Sequence, residues 1–300
     1  MAHQHPKYVN RIPVSRAQLI EQIRAMSIGR GDLLHVKVSS RSLGPVQGGI
    51  DALLDALIEV VGPEGTLVVD AFTYCFKLPM TSHDKEFISD KNSDTYTGYF
   101  NQKFIQHPLS VRSRHPVHRF AAIGALAHLL MDGHTAQSPA YDVLEQMAIR
   151  GGKNLNIGKN IIGVATTHVA IEETSLVKRN PPKGVYYRDE DGAVQLFRVN
   201  WNGGCIKGAI KFVEEYEKNG FVKRGIIGHA DAMLTDMQGT LAVDRDMIAR
   251  DPSSFFCDDL TCKDCRLRWN HSQGSWVGVK WHSFLVILKR AAKRFSLSMK

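Results

Sequence analysis

No apolar run in this chain of 300 residues approaches the ~18 residues that would read as a membrane-spanning helix. The opening MAHQHPKYVN has no apolar stretch of the kind a secretory signal carries. Cysteine is sparse, at five residues. With no export signal, those five are expected in a reducing, cytoplasmic compartment as free or metal-bound thiols. There is no internal repeat and no low-complexity linker, and 25 glycines and 11 prolines are ordinary numbers, which excludes collagen-like chains. Hydrophobic residues at 43% exclude a mostly disordered one and allow a sizeable core without disulfides.

Acidic residues are missing from one place in particular. None follows Asp264, whereas eight of the 38 Lys and Arg do. That leaves 30 basic against 30 acidic residues in the body, so the net charge of +8 belongs to the tail. A neutral body without interleaved basic and aromatic patches argues against a nucleic-acid binder.

The periodicity predicts an α/β chain. Residues 14–30 read as a helix with Ser15 as N-cap, 33–40 as a strand covered on both faces, and 50–61 as an amphipathic helix. GPEG (62–65) is a turn, and 66–74 is a second strand. That order is a parallel crossover unit. A long polar loop follows over 77–98, then a helix at 99–106, a short strand and helix within 119–132, and a helix over 138–152. Residues 153–167 read as strand then loop, 168–179 and 206–220 as helices, and 186–200 as a hairpin turning at Asp191-Gly192. The expected organisation is one domain over 11–255 and a Cys-containing basic appendage over 256–300.

Five ordered blocks carry a family resemblance. They are GDLLHVKVSSRSLGPVQGGIDALLDALIEVVGPEGTLVVDAFTY (31–74), DTYTGYFNQKF with RSRHPVHRFAAIG (94–104, 112–124), SPAYDVLEQM (138–147), GKNLNIG (152–158) with His168 ten residues on, and RGIIGHADAML (224–234). Together they resemble the aminoglycoside 3-N-acetyltransferase family over roughly 15–255. The resemblance implies a single-chain α/β fold with a central mixed sheet flanked by helices, distinct from the common acetyltransferase fold. It also implies acetyl transfer from acetyl-CoA to an amine.

Such transfer needs a cradle for the coenzyme, a base for the amine and donors for the tetrahedral oxyanion. The loop Ser39, Ser40, Arg41, Ser42, Gly48 and Gly49 suits the cradle, since its glycines allow close approach and a helix N-terminus follows. A plain strand–helix connector would use the same glycines. Arg112, Ser113 and Arg114 are further candidates for the coenzyme phosphates, or else a surface ion pair. His168 is the expected base, with Glu172 four residues on to orient it. The family's glutamate three residues after this histidine falls on Ile171, its aspartate on Ile162 and its threonine on Ala165, with Thr166 and Thr167 adjacent. Thr166, Thr167, Asp70 and Tyr74 are expected near the acceptor. His115, in the Arg-Ser-x-His-Pro block, is either catalytic or a fixture of its loop.

Cys257, Cys262 and Cys265 form C-x4-C-x2-C, a spacing that suits a structural zinc with His271 or the distant Cys205 as fourth ligand; free thiols are the alternative. Residues 281–300 join an apolar run to basic residues, fit either to lie on an anionic inner-membrane surface or to dock on the body. The expected function is N-acetylation of an amino sugar, whether nucleotide-linked, lipid-linked, part of an envelope polysaccharide or an aminoglycoside. Sugar O-acetylation and a drifted acyl-CoA or nucleotide-sugar binding protein are the alternatives.

Overall fold

In LLHVKV, Leu34 and Val36 point to one side of the strand, and Leu33, His35 and Lys37 to the other. Both sides are covered, so the strand is central, and its odd-numbered face carries polar groups into the interior. The computed structural model describes residues 12–158, 165–179, 181–199 and 203–298. Among them are eleven strands: β1 (Leu33–Val38), β2 (Thr66–Asp70), β3 (Phe76–Lys77), β4 (Ile88–Ser89), β5 (Val111–Arg112), β6 (Phe120–Gly124), β7 (Lys153–Ile157), β8 (Lys183–Arg188), β9 (Val194–Val199), β10 (Val222–Ile227) and β11 (Ala230–Asp236).

Seven strands form one mixed sheet in the order β10-β11-β7-β1-β2-β6-β5. β1 is parallel to both its neighbours, β2 and β7, while the outer pairs are antiparallel. The expected crossover is present: β1 leads through the helix Gly49–Val61 into β2. One face is covered by the helices Arg16–Ala25, Gly49–Val61 and Tyr99–Gln106, packed on Leu34, Val36, Leu67, Val69, Leu155 and Ile157. Each such fully buried aliphatic side chain stabilises the fold by about 1.5–3 kcal/mol. The other face carries the helices Asp142–Ile149, Thr166–Glu172, Lys211–Lys218 and Met237–Arg250.

Ser15 caps the first helix through a capping box with Gln18, as expected. The loop over 77–98 holds more structure than its polarity suggested: the helix Ser82–Glu86 and the strands β3 and β4, which join the β8–β9 hairpin in a second, smaller sheet. The expected helix over 206–220 is two helices, Ile206–Ala209 and Lys211–Lys218. The boundary near 255 runs through packed core. Phe256, Cys257, Cys265 and Trp269 are buried with the second helical layer, and Lys178 pairs with Trp269 as an isolated bridge. What projects is the helix Trp276–Ser298. Among the described residues, no helix is long and apolar enough to cross a membrane.

Candidate active site

The polar groups on the inner face of β1, β2 and β7 converge at the C-terminal ends of the parallel strands, where open α/β sheets place their ligand sites. Buried His35 links three strands. Its Nε2 donates to Asp70 Oδ1 on β2 at 2.9 Å, and its Nδ1 lies 2.8 Å from the Asn154 side-chain amide on β7. Lys37 Nζ stands 3.9 Å from the other Asp70 oxygen. Burial alone would raise the Asp70 carboxyl, but Lys37 and the His35 ring outweigh it and hold that carboxyl well below the usual range. The end of β2 is fixed from the other side, because Thr97 Oγ1 and Asn101 Nδ2 both donate to the Asp70 carbonyl at 2.7 Å.

Above this cluster lies His168, in the first turn of the helix Thr166–Glu172. Its ring stacks on Tyr141, with centroids 4.7 Å apart and planes 10° apart. Burial, aided by Lys37 and Lys178, pushes its pKa down to about 4 against the opposing pull of Asp70. The imidazole is therefore uncharged at neutral pH and able to take a proton. Among the described residues, the carboxylate whose charge acts on it is Asp70. Glu172, the expected orienting acid, turns elsewhere: its carboxylate accepts the backbone N–H groups of Ala140 (3.2 Å) and Tyr141 (3.3 Å). That fastens the segment whose Tyr141 ring faces His168. Ile171, at the family's glutamate position, is core, while Ile162 lies outside the described residues.

Thr166 and Thr167 also point inward. Thr166 Oγ1 donates to Asp244 Oδ2 at 2.7 Å, Thr167 Oγ1 to Oδ1 at 3.3 Å, and the Tyr216 hydroxyl donates to the same Oδ1. Burial raises Asp244 to about 7 although all three hydroxyls oppose it. Neither threonine hydroxyl is directed at an acceptor. Together they pin the start of the His168 helix to the helix Met237–Arg250.

The loop after β1 contains the short helix Ser40–Leu43, with Ser39 Oγ 2.9 Å from Ser42 Oγ. Gly48 and Gly49 have positive φ at the start of the helix Gly49–Val61, and nothing crowds Gly49. Gly158, at the end of β7, has φ +113°, and a Cβ there would stand 2.6 Å from that of Ser39. The loop and the end of β7 thus close on each other beside the Asp70 cluster. Arg41 is exposed, and Ser40 is half-buried like Ser39 and Ser42.

The side chains of the Arg-Ser-x-His-Pro block bond within the protein. The Arg112 guanidinium donates to the carbonyls of Lys91 (2.9 Å) and Ser93 (2.6 Å), which ties down the 90–94 loop. Ser113 Oγ accepts the Phe120 N–H and bonds His134 Nδ1. Arg114 forms an ion pair with Glu190. His115 Nδ1 accepts the N–H groups of Val117 and His118, and its ring stacks on His134 at 5.0 Å. Burial, with the neighbouring His134, His118 and Arg119, pushes its pKa far down.

Tyr74 stays exposed, with its ring 5.5 Å from Tyr96 and edge-on to Phe87. Burial raises the Tyr96 phenol, with Cys75 and then Asp70 adding to it. The cysteines gather, and of the two alternatives for the fourth position it is Cys205 that stands with them. Cys205 joins Cys257, Cys262 and Cys265, whereas His271 is exposed outside the group. Sequence reasoning missed His35, Lys37, Asn154 and Tyr141. The alternation of LLHVKV and KNLNI carried a signal for three of them, since it puts His35, Lys37 and Asn154 on one side of adjacent strands.

Residues 34–249 match the family model for aminoglycoside 3-N-acetyltransferase. An aminoglycoside N(3)-acetyltransferase III from a Salmonella species is 27% identical over 254 residues, covering 75% of this chain and 87% of that one. An aminoglycoside N(3)-acetyltransferase VIII from Streptomyces fradiae is 30% identical over 176 residues, covering 53% of this chain and 60% of the other. Among solved structures, AAC-VIa bound to sisomicin superposes with a TM-score of 0.70 at 24% identity, over 80% of this chain and 99% of that one. The AAC(3)-IVa apoenzyme gives 0.72 at 24% identity, over 85% and 97%. These likenesses fit the sheet order and helical layers described above. The chain belongs to the aminoglycoside 3-N-acetyltransferase family, acyltransferases whose co-substrate is acetyl-CoA.

Proposed function

We propose that this chain transfers the acetyl group of acetyl-CoA to an amine of an aminoglycoside-type amino sugar, with His168 as the base. The observation that carries this is a half-buried imidazole stacked on the Tyr141 ring, with the charges of Lys37 and Asp70 acting on it. The loop 39–49 takes the coenzyme. Asp70, an ionised carboxylate with 15% of its side chain exposed, attracts the ammonium of the acceptor. Tyr74 and Tyr96 offer the apolar face of the sugar a wall. The bound ammonium first releases one proton to solvent, and the lone pair of the neutral amine attacks the thioester carbon while His168 takes a second proton from the nitrogen. The C–N bond forms, the C–S bond breaks, and the proton leaves with the coenzyme A thiolate.

His168→Ala is expected to lower kcat by about 10²–10⁴-fold while coenzyme binding, followed by calorimetry, is retained. Unchanged turnover would refute the assignment. The acceptor is tested by thiol release with a panel of aminoglycosides, nucleotide-linked and lipid-linked amino sugars and hydroxyl-only sugars. Turnover confined to the last group would favour O-acetylation. The helix Trp276–Ser298 exposes Trp281, Phe284, Ile287 and Leu288 beside Lys280, Lys289 and Arg290. Peripheral contact with anionic lipid belongs to the proposal. It requires cosedimentation with phosphatidylglycerol vesicles that salt reverses, and no binding to the vesicles would remove it.

A further inference from the structure

The cysteines that the chemistry above leaves unused come from three separate segments. Cys205 opens the helix Ile206–Ala209, Cys257 follows the buried Phe255-Phe256 pair, and Cys262 and Cys265 frame a tight C-x2-C turn. Their four Sγ atoms all lie within 4.8 Å of one another, and Cys205 Sγ stands 3.8 Å from Cys262 Sγ. Thiolates bound to one zinc at ~2.3 Å in a tetrahedron stand about 3.8 Å apart along each edge. A disulfide would bring two sulfurs to about 2 Å, and all five cysteines are free.

We propose that Cys205, Cys257, Cys262 and Cys265 bind one structural zinc ion. Three of the sulfurs already receive backbone N–H groups: Cys265 Sγ from Cys257 at 3.3 Å, Cys262 Sγ from Cys265, and Cys257 Sγ from Asp259. Such bonds orient metal-bound sulfur and spread its charge. Four thiolates around a divalent ion leave a net negative charge. Two lysines flank the cluster: Lys178 Nζ stands 4.0 Å from Asp264, next to Cys265, and Lys207 Nζ 2.7 Å from Asp259, between Cys257 and Cys262 in the chain. Lys178 is itself fixed: its Nζ donates to the Gly203 carbonyl at 2.7 Å and lies 5.3 Å from the Trp269 ring centroid.

The ion would tie the 203–209 segment to the 255–269 segment, which pairs through Trp269 with the chain leaving the His168 helix. It therefore closes the floor of the second helical layer and stands apart from acetyl transfer. This proposal does not rest on the assigned activity. Closed four-sulfur sites of this kind contribute to folding and leave no open position for a substrate.

The test is native mass spectrometry with elemental analysis of the full-length chain purified without chelator. About one zinc per chain is expected, unchanged in His271→Ala and lost in Cys205→Ala. If Cys205→Ala fails to fold, Cys205→His retains a ligand and should keep both fold and zinc. Cobalt-grown protein should show the thiolate charge-transfer and tetrahedral d–d absorption of a four-sulfur site. A folded wild-type chain with no metal, a mass lower by the hydrogens lost to a disulfide, or zinc lost in His271→Ala but kept in Cys205→Ala would each overturn the proposal.

Discussion

Four histidines whose pKa values the fold lowers make acid the solvent condition to which it should be most sensitive. Burial lowers His168 and His134 to about 4 and His118 to about 3, and lowers His115 further, against an ordinary value of 6.5. A histidine depressed in the folded state contributes stability that is complete above its unfolded pKa. That contribution is lost as pH falls towards the folded value, because the unfolded chain takes up the proton first. Between pH 7 and pH 5 each ring should remove about 2 kcal/mol, or about 7 kcal/mol for the four. Asp244 acts in the opposite sense. Raised to about 7, it binds its proton more readily in the folded chain and returns about 2 kcal/mol over the same interval. Glu172, also raised by burial, adds to that return. The net loss is about 5 kcal/mol, a large share of the roughly 5–15 kcal/mol that holds a native domain together. Urea unfolding followed by circular dichroism should show a midpoint lower by about 2 M at pH 5 than at pH 7. His134→Gln should lower stability at pH 7, through its lost bonds to Ser113 and Pro139, and yet shrink the pH difference by about 2 kcal/mol. Equal midpoints at the two pH values would refute the reasoning.

Two substitutions separate cradle from scaffold. Gly158→Ala puts a Cβ against Ser39 and Ser42 at φ +113°, so it should raise the KM for acetyl-CoA in steady-state assays, with stability lower by about 1–3 kcal/mol; an unchanged KM would sever the loop from coenzyme binding. Arg112→Ala removes two bonds to the carbonyls of the 90–94 loop and should lower the melting temperature while leaving that KM within about twofold. A tenfold rise in KM would restore Arg112 to the phosphate site.

Local elements were legible because periodicity and punctuation are local. The Ser15 capping box, the Gly49–Val61 helix and the turn at Asp191-Gly192 each declare themselves within a few residues. The mixed sheet and the helical layers came from the order of motifs rather than from any single segment. What stayed hidden was pairing at long range. His35 meets Asn154 across 119 positions, and Thr166 meets Asp244 across 78. No spacing rule reaches that far. Glu172 stood four residues from His168, where helical geometry allows a contact, yet the unsatisfied N–H groups of Ala140 and Tyr141 compete for the same carboxylate and hold it. The choice between Cys205 and His271 was open for the same reason: Cys205 lies 57 positions from Cys262, and nearness in the chain did not decide it.

The aromatic wall and the imidazole hang from different parts of the molecule. Tyr74 and Tyr96 ride on surface segments beyond β2, while the ring at 168 is anchored through Thr166 and Thr167 to an interior acid on a distant helix. Swapping residues along the outer segments should therefore change which sugars are accepted without disturbing the proton-transfer apparatus. Breadth of acceptors would then evolve, or be engineered, as a separate trait from speed.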